Sequence, residues 1–513
     1  MSHKCTTPLR ILSGRFVGLG VTLGLLGTIY ATGPHANGQA GPDPELASRL
    51  QQLTDAVNRT QSQLEQSQRQ LEELRTELST LQQQIAELHG SQEGSSSAAQ
   101  LSAAVDQIRE QQQLEETQIA THEQAKVETE SRYPLKLNGL VLMNGFVNRT
   151  QVDNPANPSI VLEGRGSTGA TLRQTVLGFN ARGPHVFGAE SRADASVDFD
   201  GAALSTNTSS AYAGGLLRLR TIHGELAWNR TQAFFALDHP IIAPNTPSSL
   251  TAIAVPALAW SGNLWTWNPQ VGLTQDLPVA SARFRMQAAL IDVMNPPPIY
   301  GGSGSSTATA VVSPSSAEAS RWPGVESRLA LLSGEETSGL QVGIGGLYAP
   351  HRSLGGTRFN TAAGTLDYRV PLPAHGEWSG SVYFGQALGG LGAGAFKDYV
   401  FIANPLSPTG YSFRTLDDLG GWTQFKERPN ERLEFNVAFG TDQVPASQLR
   451  PYAGAATAYY LNLARNRTYT GNVIYSPSTY LMFSLEYRHL QSSPVNDYTA
   501  TGDVIGIATG YRF

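Results

Sequence analysis

Apolar and polar positions follow three rhythms along this chain. Phe16 to Ala31 is a short apolar run. Between Glu45 and His89 apolar residues recur every seven positions. Leu50, Val57, Leu64, Leu71, Leu78 and Ile85 hold one position; Leu46, Leu53, Leu74, Leu81 and Leu88 hold its partner. Thr60 and Ser67 fill the gaps. This a/d pattern predicts a coiled coil over 45–89, whose stripe needs other helices to cover it. A lone amphipathic helix lying on another domain is the alternative. From Pro134 to Phe513 the period drops to two, between Gly, Pro, Asn and Ser turns, which predicts strands.

The clearest strand is expected at Phe187 to Asp200. Phe187, Ala189, Ala193, Ala195, Val197 and Phe199 mark one face, and Glu190, Arg192, Asp194, Ser196, Asp198 and Asp200 the other. Phe284, Met286, Ala288 and Leu290 repeat the pattern, as do Leu433 to Phe439 and Leu481 to Tyr487. A last strand puts Ile505, Ile507, Thr509, Tyr511 and Phe513 on one face. Lys136 to Asn148 breaks the rule, with Leu140 and Leu142 in its polar phase.

A soluble β-sandwich alternates in the same way. Three features favour a membrane barrel instead. The region holds no helical covering segments. Its aromatics cluster near strand ends, as in interfacial girdles. The sequence stops at Tyr511-Arg512-Phe513, within the last predicted strand, as suits a closed sheet with no open edge. At roughly 24 residues per strand and connection, about 16 strands fit. The expected fold is therefore an all-β transmembrane barrel of about 16 antiparallel strands with an N-terminal α-helical coiled coil.

Composition narrows the classes further. The 513 residues include 52 Gly, only 15 % charged residues and a net charge of −6. Mean hydropathy is −0.22, too polar for a helical membrane protein. The slightly acidic balance disfavours a nucleic-acid partner. Lys4, Arg10 and Arg15 precede the first apolar run, and Gly38 and Ala40 precede a cleavage point near Gly41, as in a secretory signal peptide. An N-terminal membrane anchor is the other reading. Cys5 is the only cysteine, so removal of the signal leaves no thiol for disulfides or metal. The predicted organisation is a signal peptide at 1–40, a periplasmic coiled coil at 45–89, a linker with a weaker helical segment at 90–133, and a barrel at 134–513.

The last strands carry a resemblance. Gly420-Gly421-Trp422-Thr423-Gln424 precedes Leu433-Glu434-Phe435-Asn436 and Gly440-Thr441-Asp442. Asn466-Arg467-Thr468-Tyr469, Asn472-Val473-Ile474-Tyr475-Ser476-Pro477 and Leu485-Glu486-Tyr487-Arg488 follow. This order resembles the DcaP-like trimeric outer-membrane porins, relatives of the phosphate-selective porins. Ala508 departs from the Gly usual in the terminal assembly signal. The resemblance implies a trimer of 16-stranded barrels passing small, often anionic solutes, and a constriction loop folded into the pore. The loop matched here is His239 to Trp267, with His239, Trp260, Trp265 and Trp267. The resemblance also makes Tyr511 and Phe513 the part read by the barrel-assembly machinery. Expected partners are further copies of the chain, outer-membrane lipid and lipopolysaccharide, that machinery, and peptidoglycan through the coiled coil; no cofactor and no nucleic acid are expected.

Residues 134–513 hold 23 Arg, 3 Lys and 26 Asp plus Glu, so formal charge alone predicts no ion preference. The preference for Arg is more informative, because its rigid fork binds carboxylate or phosphate at two points. Arg192, Arg218, Arg220, Arg283, Arg285, Arg328, Arg369, Arg432 and Arg488 sit in the polar phase and are the candidate lumenal residues. Such residues also serve as ion-paired wall, the commoner role for any single one. Arg218/Arg220 and Arg283/Arg285 are i, i+2 pairs and the stronger candidates for solute contact. No HExxH, GxSxG or P-loop occurs, and His489 lies in the apolar phase, so an enzyme is not expected. The leading function is passive diffusion of small hydrophilic solutes, dicarboxylates or phosphate-like anions. A structural tether between the outer membrane and the cell wall, through the coiled coil, is the alternative.

Overall fold

The structure, a computed structural model, describes residues 135–201, 215–296, 314–335, 338–353, 356–407, 410–455 and 462–513. The predicted signal peptide, coiled coil and linker lie outside the described residues. Strand propensity and alternation are realised as follows. The first strands are β1 (Leu135–Val152), β2 (Val161–Thr171), β3 (Val176–Val186), β4 (Ala189–Gly201), β5 (Leu216–Ala227) and β6 (Thr231–Asp238). β7 (Asn268–Val279), β8 (Ala282–Ile291), β9 (Gly324–Ser333), β10 (Leu340–Arg352), β11 (Arg358–Leu372) and β12 (Gly376–Gln386) continue the wall. A hairpin of β13 (Tyr399–Ala403) and β14 (Tyr411–Thr415) stands apart. β15 (Asp417–Asn430), β16 (Leu433–Gln443), β17 (Leu463–Tyr475), β18 (Leu481–Pro494) and β19 (Ala500–Arg512) complete the sheet.

β2 and β3 both pair with β1, β2 along Asn144–Val152 and β3 along Leu135–Leu140. They are one wall strand interrupted at 172–175, so the wall has 16 antiparallel strands. β1 also pairs with β19, from Leu140 opposite Arg512 to Asn148 opposite Val504. Gly139 and Phe513 extend that seam with two backbone hydrogen bonds of 3.0 and 3.1 Å. Closure leaves the sheet without an edge, which a spanning sheet requires because hydrocarbon offers no partner to a free N–H. Among the described residues, no helix is long and apolar enough to cross a membrane.

Connections at one end are short, such as 187–188, 280–281 and 431–432, and Leu135 and Phe513 lie at that end. At the other end they are longer, as at 239–267, 387–416 and 444–462. These are called the turn end and the loop end below. On β18, outward Phe483, Leu485 and Tyr487 alternate with buried Ser484, Glu486 and Arg488. Outward aromatics cluster at Tyr475, Tyr480 and Tyr511 toward the turn end, and at Phe439, Tyr469 and Tyr487 toward the loop end. One boundary differs from expectation. Phe187 (φ 50°) and Gly188 (φ 78°) form the β3–β4 turn, so that strand begins at Ala189.

The apolar core lies inside the barrel, between its wall and the connections folded into it. Leu142 is fully buried and packs with Leu250, Met482 and Ala508, and Leu140 joins the same cluster. That contact is why β1 carries leucines in its inward phase. A second cluster joins Ile242 and Leu264 to inward Leu347, Ala363 and Tyr383.

Candidate functional site: the lumen and its inward loop

The β6–β7 connection, 239–267, runs inside the barrel. Pro240, Pro244, Pro247 and Pro256 lack N–H groups and break any regular ladder, so wall side chains satisfy much of its backbone. Thr365 of β11 donates to Ile242 O at 2.9 Å. Asn472 of β17 donates to Ser248 O at 2.9 Å, and Ser248 N donates to Gln424 of β15 at 2.7 Å. Asn144 of β1 and Gln174, beside β3, both donate to Thr251 O, at 3.1 and 3.0 Å. The Thr251 hydroxyl donates to Glu486 at 2.7 Å and accepts from Arg488 at 2.8 Å, both on β18. Arg218 and Arg220 of β5 donate to Ala254 O and Ile253 O, at 2.7 and 2.8 Å. Farther along, Asn466 of β17 donates to Trp260 O at 3.1 Å.

A second connection enters the lumen at 387–398. Asp418 and Asp442, inward on β15 and β16, accept from Gly394 N and Ala395 N, each at 2.6 Å. Lys397 donates to Ala395 O and Leu463 O, both at 2.8 Å. Burial pushes the Lys397 ammonium down to about 7 and the Asp398 carboxyl up to about 7. The two connections meet where Trp265 N donates to Leu391 O at 3.1 Å and Thr266 to Gly390 O at 2.7 Å. Gly392 sits there with φ 95°, and a Cβ on it would lie 2.5 Å from the Trp265 ring, so no larger residue fits without displacing the ring.

The aromatics of 239–267 divide by role. Trp260 stacks on Phe396 at 4.1 Å and meets Trp265 edge-on at 5.8 Å; both are buried and fix the connections to each other. Trp267 is half-buried and has both the Arg218 and Arg220 guanidinium groups over its ring, at 5.1 and 5.0 Å. His239 lies 6.0 Å from the same ring, and burial lowers its pKa.

The arginines expected in the lumen point inward except Arg432, which is corrected: it lies in the β15–β16 turn and accepts from Ser476 N through its carbonyl. Arg218 grips Asp198 with two bonds (3.0 and 2.6 Å), and Arg220 reaches the same carboxylate at 3.0 Å. A register shift in the β4–β5 ladder turns both toward it. Arg285 forms a two-point pair with Asp276 (2.8 Å each), and Arg283 reaches it at 3.4 Å. Arg328 forms a buried two-point pair with Asp367 at 2.8 and 2.7 Å. Arg488 pairs with Glu486, and Arg369 binds Gly339 O and Gln341. Arg192 is half-exposed near the turn end, 2.6 Å from Glu190 and 3.5 Å from Glu225. Arg328 and Arg488 thus serve as wall and loop anchors, while Arg218 and Arg220 keep some lumenal exposure (25 % and 14 %).

No protein-family model and no curated protein matches this sequence. Solved structures do. The outer membrane channel DcaP of Acinetobacter baumannii superposes with a TM-score of 0.55 at 15 % identity, over 75 % of this chain and 99 % of that one. This chain has a DcaP-like porin fold. An anion-selective porin from Comamonas acidovorans (TM-score 0.45, 10 % identity, 74 % of this chain and 100 % of that one) and OprB of Pseudomonas putida (0.44, 9 %, 74 % and 94 %) match more distantly.

Within this porin barrel, the residues that sequence reasoning missed are mostly acids and amides. Asp198, Asp276, Asp367 and Glu486 hold the arginines; Gln174, Asn144 and Asn466 hold the inward loop. Their signal was present, since each acid occupies the inward phase of its strand. The segment 387–398 gave none, because its run of Gly and Ala carries neither strand alternation nor charged residues before Lys397.

Proposed function

We propose that this chain forms an outer-membrane diffusion channel for small anionic solutes of the dicarboxylate or phosphate class, and that it works as a homotrimer. The closed wall with its outward apolar band supplies the membrane-spanning element. The turn end then faces the periplasm and the loop end the exterior. One observation carries the anionic preference. Arg218 and Arg220 share the carboxylate of Asp198 beside the inward loop, and Arg173 lies 3.9 Å from the neighbouring Asp200, so three guanidinium groups face two carboxylates and the site keeps a positive excess. A solute entering the narrow region loses water, and partly exposed guanidinium groups replace some of that hydration. Conduction needs weak, repeated contacts, and Arg283/Arg285 with Asp276 provide another on β7–β8.

The test is single-channel recording of the purified protein in a planar bilayer under a salt gradient. An anion-selective reversal potential and a current reduced by added dicarboxylate are expected. Cation preference, or no conductance from folded protein, overturns the proposal.

A further inference from the structure

The wall strand formed by β2 and β3 carries one residue too many. Thr171 faces Asn144 of β1 and Val176 faces Leu140, so the four residues 172–175 stand opposite the three at 141–143. An extra residue of this kind is a β-bulge, which re-aims side chains where a regular strand cannot. Here it turns Gln174 into the barrel, while the Thr175 hydroxyl accepts from Leu142 N at 3.0 Å in place of the missing ladder bond. The β4–β5 ladder also shifts register at Asp198, which faces Val176 at the edge of the bulge.

Gln174 is 1 % exposed, so no solute touches it. A glutamine amide has two acceptor and two donor positions, and all four are used. Its oxygen accepts from Ile253 N at 2.8 Å and Ala254 N at 3.1 Å; its nitrogen donates to Thr251 O at 3.0 Å and Ala156 O at 3.4 Å. The carbonyls of the same two residues, Ile253 and Ala254, accept from Arg220 and Arg218. Each guanidinium is thus held at two places, by Asp198 and by a carbonyl whose own residue hangs on Gln174. Two points fix the orientation of a planar fork; one leaves it a pivot. These bonds engage Nε and Nη2 of Arg218 and Nη1 of Arg220. Among the described residues, Nη1 of Arg218 and Nη2 of Arg220 therefore keep their N–H groups for solute.

We infer that Gln174 is a positioning residue for solute recognition: the two arginines supply charge, and Gln174, through the loop at 251–254, sets the angle at which they meet an oxyanion. The inference rests on the anion-channel reading above and names what selects within the anionic class. A carboxylate bound at two points needs a fork in a fixed orientation. Chloride is spherical and responds to charge alone. Gln174 therefore bears on dicarboxylate binding and not on the preference for anions as such.

The test uses the full mature chain in planar bilayers. KCl gradients read charge preference, and block of the chloride current by succinate reads oxyanion recognition. Q174M keeps the length of the side chain and removes all four bonds, which orphans Ile253 N and Ala254 N. Its succinate block should weaken at least about threefold, within the range by which residues remote from a ligand alter its binding. Its reversal potential should stay on the anion side. Adding Q174M to R218Q/R220Q should change the residual block no further, because the groups it positions are gone. Heat-modifiable gel mobility reports folding; if Q174M does not fold, Q174N, whose amide falls one methylene short of the loop, takes its place. Unchanged block in a folded Gln174 variant overturns the inference. Loss of anion preference together with block, which marks a collapsed loop, also overturns it, as does a further loss on the double-arginine background. Each of these leaves the channel reading standing when wild type is anion-selective and blocked; a cation-preferring or unblocked wild type sinks both.

Discussion

Tyr383 on β12 donates to Asp442 on β16 at 2.7 Å, reaching over the whole of β15. Gly420 of β15 lies beneath it, and a Cβ there would sit 2.2 Å from the Tyr383 hydroxyl. Asp442 then holds Ala395 of the inward segment. Tyr383→Phe removes one donor from a buried carboxylate and should cost about 1–3 kcal/mol. Gly420→Ala should disturb the same bond through the clash. Urea unfolding of the detergent-solubilised barrel checks both, and unchanged midpoints would show the bridge to be idle.

Arg218→Gln with Arg220→Gln should move the reversal potential toward cations. It should also raise open-channel noise, because Ile253 O and Ala254 O lose their donors. Arg283→Gln with Arg285→Gln should shift the potential without the noise. The shifts should shrink at high salt, since mobile ions screen exposed charge over about 10 Å at 0.1 M. Unchanged potentials in both double variants would reduce these arginines to ion-paired wall.

Acidity should tighten the segment 387–398. Burial raises the Asp398 carboxyl from its ordinary 3.8 to about 7. The docked state therefore binds a proton that the released state lacks between those values. Its stabilisation is complete below about pH 4 and is lost as pH rises through about 7. Amide exchange at Gly389–Phe396, corrected for intrinsic rates, should be more protected at pH 5 than at pH 8. Asp398→Asn should abolish the extra protection at pH 5 and leave the opposite trend, because Lys397 of the same segment, pushed down to about 7 by burial, favours docking as pH rises; greater protection at pH 5 that persists in that variant would point to another group.

Deleting Phe513 should lower the amount of protein in the outer membrane. It removes both backbone bonds to Gly139 at the closing seam and the ring stacked 6.5 Å from Tyr511. Quantitative blotting of membrane fractions measures this, and normal accumulation would show that the seam closes without its last pair.

The sequence made the wall legible wherever one face meets lipid and the other meets polar lumen. β18 and β19 alternate cleanly for that reason. The rule failed on β1, because Leu142 meets Leu250 of the inward loop and not water. It missed the break between β2 and β3, where the Thr175 hydroxyl stands in for the ladder by accepting from Leu142 N at 3.0 Å. The loop at 239–267 was legible by its length and prolines. The roles of Arg328 and Arg488 were not, since an inward arginine reads the same whether it meets solute or a neighbouring acid. Only the partner's register, Asp367 across β10 or Glu486 on its own strand, decides that.

Thr251 has a consequence for how such a barrel matures. It bonds to side chains on β1 and β18 and to Gln174 in the broken strand, and its methyl group abuts the place of a Cβ on Gly506 of β19. The residue at mid-chain therefore samples the seam formed by the chain's first and last strands. A seam slipped by two residues would carry Asn144 about 6.8 Å from its acceptor, and the loop would lose its seat. The inward seat of 239–267 is in this way conditional on correct zippering, so a barrel closed in the wrong register would leave its lumen unfilled.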